Sequence, residues 1–541
     1  MFVLRHVLEP RFAALVGAIV GAVLCLSLMI AFPGREWYLL PLTVILAALA
    51  LVGLRDMTQT RHAILRNYPI LAHLRFFLED IRPEMRQYFF EGDKDGAPFP
   101  RDKRAIVYQR AKKELDKRPF GTMYDVYQEQ YEWLHHSLAP QPEQPVSDMR
   151  VQIGTGARAY SASLLNISAM SYGALSANAV RALNKGAKAG GFFHDTGEGG
   201  VSPYHREFGG DLVWEVGSGY FGCRAETGGF DPARFADTAQ HDQIKMVELK
   251  LSQGAKPGHG GVLPAAKVTA EIAAIRGVPM GQDCISPAAH SAFSTPVGLL
   301  EMIAQMRSLS GGKPAGFKLC IGHPWEFMAI CKAMLQTGIT PDFIVIDGKE
   351  GGTGAAPLEF MDHVGTPLRD GLSFAHNTLV GLGLRDQIRI GASGKITSAF
   401  DMARILALGA DWCNAARGFM FAVGCIQAQS CHTGQCPTGV TAQDPLRQRA
   451  LVVPDKAERV TNFHHNTLHA LAELVAAAGL ERPSDLRPHH FLRRASSDRV
   501  ISFAEQYDVL APGQLLTDPT SAPRFHTAWK MASADSFARL T

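Results

Sequence analysis

The chain has 541 residues, of which 46% are hydrophobic, and its mixed charges sum to +3. No basic stripe points to nucleic acid, and nine cysteines without a paired framework speak against a disulfide-built secreted scaffold. The length accommodates a barrel of ~250 residues together with further elements.

In chain order, the first stretch to stand out is 12–32, FAALVGAIVGAVLCLSLMIAF. It carries no charge and as a helix spans about 31 Å, the thickness of a bilayer core. After the turn Pro33-Gly34-Arg35-Glu36, residues 37–54 (WYLLPLTVILAALALVGL) form a second uncharged run with Trp37 and Tyr38 at its mouth, where interfacial aromatics sit. Together they predict a transmembrane hairpin over 1–60. Arg5, His6 and Arg11 precede it and Arg55, Arg61 and Arg66 follow it, so both ends are expected in the cytoplasm, with the body of the protein on the cytoplasmic side of the membrane. The alternative, a cleaved signal and then a core helix, lacks a small-x-small cleavage site.

Residues 61–146 are charged and aromatic, with helical stretches at 72–86 and 104–117 and breaks at Pro98, Pro100, Pro119 and Gly121. They predict a mostly helical collar that ends in a proline-rich linker, APQPEQP, at 139–145.

Short apolar runs then alternate with stretches of helical period. Strands are expected at 164–170, 192–195, 246–251, 316–321, 343–346, 388–390 and 412–415, and helices at 176–189, 265–276, 296–309, 325–337 and 398–408. So many strand–helix units in one domain imply an α/β fold with a parallel sheet closed as a (β/α)8 TIM barrel over 147–481, its eighth strand inferred, and an extension over 482–541. No G-x-G-x-x-G follows an early strand, which argues against a dinucleotide-binding domain.

Active sites of such barrels lie just after the strands. Glycine crowds three of those places, at 195–200, 347–355 and 391–394, and lets backbone N–H groups approach an anion. Lys250 and Lys318 sit in apolar runs, where an unpaired charge is costly. The combination points to a phosphate-bearing cofactor, most simply FMN. His259 and His290 read as structural histidines.

Past the last strand, Cys425, Cys431 and Cys436 form C-x5-C-x4-C followed by Pro437. Three thiolates on one glycine-containing loop suit an iron–sulfur cluster, and the spacing is too wide for a zinc knuckle. Buried or disulfide-bonded thiols are the alternative.

SAMSYGALS at 168–176, TGEGG at 196–200, QGAKPGHGG at 253–261, EGGTGAAP at 350–357 and the cysteine loop occur in this order. Together they resemble the FMN-binding synthase domain of the glutamate synthase large subunit. The resemblance implies one FMN and one 3Fe-4S cluster on a (β/α)8 barrel, with 2-oxoglutarate and ammonia giving 2-iminoglutarate and then L-glutamate. It implies that Glu198, Lys250 and Gln253 handle the substrate and that Lys318 faces the flavin; on its own chemistry, Glu198 beside Lys250 can relay a proton if enclosure raises its pKa. The alternative for Lys250 and Glu198 is an ion pair that merely closes the pocket. The cofactor set is Met170, Ser171, Lys318, Gly351, Gly352, Thr353, Gly354, Ser393, Gly394, Ala416 and Arg417, and the metal set is the three cysteines.

There are departures. Residues 1–60 read as a hairpin where that family carries a glutaminase domain, and Glu248, His259 and Ala392-Ser393-Gly394 replace residues common there. The layout is similar to stand-alone, membrane-tethered relatives. Besides a 2-oxo acid and an amino acid, the expected partners are an electron donor (a ferredoxin or a reductase) and a separate amidotransferase subunit. Competing readings are a membrane-anchored electron-transfer component without amination and a barrel that binds without turnover.

Overall fold

The computed structural model describes residues 9–540, and the chain divides into two compact units after Pro98. Arg5 and His6, counted above among the flanking positive charges, lie outside the described residues.

In the first unit, α1 (Ala13–Ala31) and α2 (Glu36–Thr58) pack side by side. A Cβ on Gly53 would come within 2.7 Å of Leu15 Cδ1, so the close approach of the two helices needs a residue without one. Val23, Leu24, Ile30, Val44 and Leu51 point outward and are exposed. Mean hydropathy reaches 2.6 and 2.2 over the two helices, which makes both long and apolar enough to cross a bilayer. Asp56, buried in the last turn of α2, accepts the Ile70 N–H at 3.0 Å and pairs with His73 at 2.9 Å, turning the chain into the short helices that follow.

The second unit begins with α3 (Arg101–Lys112). Eight parallel strands close its barrel: β1 (Leu165–Ile167), β2 (His194–Asp195), β3 (Leu212–Val216), β4 (Ile244–Lys250), β5 (Ala315–Leu319), β6 (Phe343–Asp347), β7 (Arg389–Ser393) and β8 (Trp412–Ala415). Each strand pairs with the next in sequence, and β8 returns to β1. The expected closed, eight-stranded parallel barrel is present.

Its third strand is the one that the periodicity did not mark. Only the single turn Pro203–Arg206 separates β2 from β3, so the strand–helix alternation breaks there. The stretch expected as one helix over 265–276 is instead a 3-10 turn (Ala265–Lys267) and a short helix (Ala270–Arg276). Both lie inside an excursion that also carries the antiparallel pair Val262–Leu263 and Cys284–Ile285. The crossover from β4 to β5 is made by α4 (Pro296–Leu309). Beyond β8 come α5 (Arg417–Ala422) and the long α6 (Val453–Ala477), which packs on α3. The Asn462 and Asn466 amides donate to the carbonyls of Ala111 at 3.1 Å and Arg110 at 2.9 Å, satisfying acceptors at the C-terminal end of α3 that its own ladder leaves open. Glu132–Leu134 of the collar pairs with Phe491–Arg494, and that strand pairs with Val500–Ser502, so collar and C-terminal extension share one small sheet.

A hairpin of Arg150–Ile153 and Tyr160–Ser163 accompanies the barrel floor. Ile153, Tyr160 and Ala162 pack there with Phe193, Val213, Met246, Phe343, Val345 and Trp412. Strand alternation then places Glu215, Glu248 and Lys318 inside the barrel above that apolar layer.

Three buried imidazoles are held neutral: burial pushes His205 and His464 down to about 3 and His194 well below its usual range. A folded-state pKa below the unfolded value of ~6.5 means that the neutral ring stabilises the fold above pH 6.5, and this contribution is lost as pH falls toward 3. The stability advantage of the parent over His464→Gln, read from urea midpoints, should shrink by about 1.4 kcal/mol for each pH unit below 6.5. An advantage that is constant between pH 6.5 and 5 contradicts this.

Candidate active site

A cleft opens at the C-terminal ends of the strands, and together with the open space at its mouth it takes in about 1300 Å³.

The strands position its floor. Lys318, 4% exposed on β5, gives its ammonium to Glu215 of β3 and lies 3.5 Å from Glu248 of β4. Asp347, at the end of β6, accepts the Gly254 N–H at 2.8 Å and the Ser393 hydroxyl. Burial raises the carboxyl of Asp195, and burial together with the charges of Asp195 and Asp347 pushes that of Glu248 well above the carboxylate range.

Loops make the walls. Lys250 Nζ lies 3.0 Å from Glu198 Oε2. Burial alone would raise Glu198, but the ammonium of Lys250 holds it below its ordinary value, so it is a carboxylate at neutral pH and not the poised acid considered from the sequence. A Cβ on Gly261 would lie 2.1 Å from Glu198 Oε1, so the strand-end glycine gives the carboxylate its place. Gln253 borders the same space. His290 is engaged from both sides, 2.8 Å from the Lys250 carbonyl and 3.1 Å from the Tyr220 hydroxyl, and it steadies the end of β4.

Met170, Ser171, the rim Gly351 to Gly354, Ser393, Gly394, Ala416 and Arg417 all border the cleft. Of the three cysteines, Cys431 faces it; Cys425 and Cys436 are buried behind. Arg417 spans the two regions, donating to the Thr353 carbonyl at 3.2 Å with its other nitrogen 4.0 Å from Cys431 Sγ. All nine cysteines are free thiols, which removes the disulfide alternative. Burial pushes Cys425 up; it would also raise Cys436, but hydrogen bonds from Thr438 and Thr441 hold that thiol below its usual value. Among the described residues, a group of carboxylate ligand atoms within 4.8 Å of one another is formed by Asp195, Glu215 and Glu248.

With this geometry in place, the family assignment follows from comparison. The conserved region in glutamate synthase matches residues 121–481. The chain belongs to the glutamate synthase family. It is similar to the glutamate synthase large subunit-like protein YerD of Bacillus subtilis, 38% identical over 494 residues that cover 84% of this chain and 94% of that one. It is also similar to the archaeal glutamate synthase (NADPH) of Methanocaldococcus jannaschii, 37% identical over 322 residues that cover 59% of this chain and 60% of that protein. Among solved structures, a mutant flavocytochrome b2 with pyruvate bound gives a TM-score of 0.39 at 12% identity, covering 76% of this chain and 85% of that one. A likeness of that size has no bearing on function.

In this glutamate synthase family member the cleft also contains residues that the sequence did not single out. Lys256, 1% exposed, and Arg276 line it beside the Lys250–Glu198 pair. Lys256 stands within QGAKPGHGG, so its motif was visible although its role was not. Arg276 ends a short helix and reads there as a C-terminal charge. It donates to the Ser171 hydroxyl at 3.2 Å and the Tyr172 carbonyl at 3.1 Å, tying the excursion after β4 to the loop after β1. Burial, partly offset by Glu198, pushes Lys256 down to about 8. Its charge is therefore present below pH 8 and fades above it. Affinity of the cleft for a small anion, measured by calorimetry with inorganic sulfate, should fall as pH rises through 8, and Lys256→Met should bind it more weakly at pH 7 and lose that dependence.

Proposed function

We propose that the chain performs the reductive amination of a 2-oxo acid, 2-oxoglutarate and ammonia giving L-glutamate, with FMN and a 3Fe-4S cluster as its cofactors. One observation carries the reading: the Lys250–Glu198 pair, with Lys256 and Arg276 beside it, opens into the same cleft as Lys318, the glycine rim at 351–354 and Cys431. The residues suit both groups. A Cβ on Gly352 would come within 3.4 Å of the Arg417 guanidinium, so the bare rim leaves space beside a cation for an anionic group. Met170, Ser171, Lys318, Ser393, Gly394 and Ala416 complete that holder. Three cysteines on one loop suit a cluster in which each sulfur takes its own iron, and the Lys267 ammonium, 3.3 Å from the Cys431 carbonyl, favours an anionic centre. Bound there, FMN supplies hydride and the cluster single electrons.

The chain's own residues do the rest. A 2-oxo dicarboxylate brings two negative charges, which Lys256 and Arg276 meet from the loop after β4 while Lys250 holds the reacting end from a rigid strand. Reduction of the imine places one hydrogen on carbon and one proton on nitrogen. Glu198, held ionised, accepts hydrogen bonds from the nitrogen and does not protonate it; the group beside it that carries protons is the Lys250 ammonium, 3.0 Å away. Gln253 offers an amide to the same end of the substrate. Electrons come from a separate ferredoxin or reductase, and ammonia from solution or a separate amidotransferase subunit. The exposed apolar α1–α2 hairpin supports anchoring in the cytoplasmic membrane, and Arg11, Arg55, Arg61 and Arg66 at its ends, against one Arg–Glu pair in its turn, support a cytoplasmic barrel.

Lys250→Met should leave flavin bound and reducible by dithionite yet stop its reoxidation by 2-oxoglutarate plus ammonium, with a milder loss in Glu198→Gln, read by flavin absorbance. Reoxidation of both at the parent rate removes the pair from the chemistry. A parent that is never reoxidised by any 2-oxo acid with ammonium favours the electron-transfer reading instead. Iron analysis and electron paramagnetic resonance should show the cluster lost in Cys431→Ser and kept in Cys223→Ser, whose thiol burial pushes far up inside the core; full iron in Cys431→Ser overturns the assignment.

A further inference from the structure

Between the apolar floor and the cleft, the barrel holds Asp195 from β2, Glu215 from β3, Glu248 from β4, Lys318 from β5 and Asp347 from β6, with Lys250 two residues beyond Glu248. The remaining strands contribute Ser393, Asn414 and Asn166 to this level, and none of these titrates. Lys250 is committed to Glu198, so four carboxylates face the single ammonium of Lys318. Three of them are provided for. Asp347 accepts a backbone N–H and a hydroxyl, Glu215 takes the Lys318 ammonium, and Asp195 accepts the Gly197 N–H at 3.0 Å.

Glu248 is the exception. It is 1% exposed, its Oε1 has no hydrogen-bond partner, and Lys318 Nζ is 3.5 Å off. Ligand atoms of Asp195, Glu215 and Glu248 lie within 4.8 Å of one another, and the cation beside them is already the Lys318 ammonium. Like charges this close, away from water, are relieved by one of them taking a proton. The acid least served by donors is the one to take it.

We propose that Glu248 is a positioning residue that sets, through Lys318, how much positive charge the floor of the cleft shows to a bound anion. As a neutral acid it leaves Lys318, which borders the cleft, with one carboxylate in direct contact, that of Glu215. Ionised, it adds a second negative charge beside the ammonium and cancels what the cleft would otherwise feel. Burial and the neighbouring carboxylates push the Glu248 carboxyl well above its usual range, which favours the neutral form, and the ionised form gains as pH rises. Arriving negative charge in the cleft favours the neutral acid, so anion binding or cofactor reduction is linked to proton uptake at Glu248.

The redox arm of the test rests on the flavin reading of the cleft; the spectroscopic arm does not. Glu248→Gln keeps the shape and is neutral at every pH, and Glu248→Asp keeps a titrating group. Infrared spectra of the full-length protein at neutral pH, read with or without flavin, should show the absorption of one un-ionised carboxyl in the parent that Glu248→Gln lacks. With FMN bound, the midpoint potential as a function of pH should show, over the Glu248 titration, one more proton taken up per two-electron reduction in the parent than in Glu248→Gln, with Glu248→Asp restoring it. Identical carboxyl absorption in parent and Glu248→Gln overturns the proposal, and so do identical potential profiles. If the protein carries no flavin, the function proposed above fails and the carboxyl spectrum still decides the charge of Glu248.

Discussion

Charge inside a closed barrel has few places to go. In this chain the lower interior is filled by Phe193, Met246, Phe343 and Trp412, and every ionisable group on the inward face is thereby crowded into the level beneath the cleft. Lys318 is the counter-charge there, bonded to Glu215 and within reach of Glu248. Removing one partner of such a buried pair costs about 3–5 kcal/mol, because the other charge is left unsolvated. The same ammonium that keeps the interior tolerable borders the cleft, so stability and ligand binding draw on one side chain.

Around this level the barrel contributes rigidity and the loops contribute chemistry. Lys250 ends a strand whose neighbours on both sides are barrel strands, and His290 braces its carbonyl, so the ammonium meets Glu198 with little freedom. Lys256 and Arg276 arrive on the long excursion between β4 and α4. Arg276 fastens that excursion to the loop after β1 by two hydrogen bonds.

The cysteine loop belongs to the same construction. Arg417 starts α5 and links the glycine rim to Cys431, while α3 covers the loop from the other side: the Tyr108 hydroxyl donates to the Cys425 carbonyl at 2.7 Å. Phe99 exchanges two hydrogen bonds at 3.1 Å with the Gln427 side chain and meets Phe421 edge-on. Residues just past Pro98, which read as collar, are therefore part of the wall behind the cysteines. Their charged, aromatic composition serves packing against the barrel.

Periodicity and punctuation by themselves determined the two apolar helices, seven of the eight strands, the order of the glycine loops and the cysteine loop, because each of these is a local pattern: an uncharged run, an alternation, a spacing. The strand over Leu212–Val216 escaped because its connection to the previous strand is a single turn, which leaves no helical period to mark it. Alternation could place Glu248 and Lys318 within strands of their own, but not show that they meet Glu215, whose strand carried no mark in the sequence. Contact across a barrel joins positions far apart in the chain, Lys318 and Glu215 being 103 residues apart. Closure of the sheet decided which charge answers which. It made Glu198 a carboxylate, where the sequence allowed an acid, by placing Lys250 against it, and it left Glu248 without a donor.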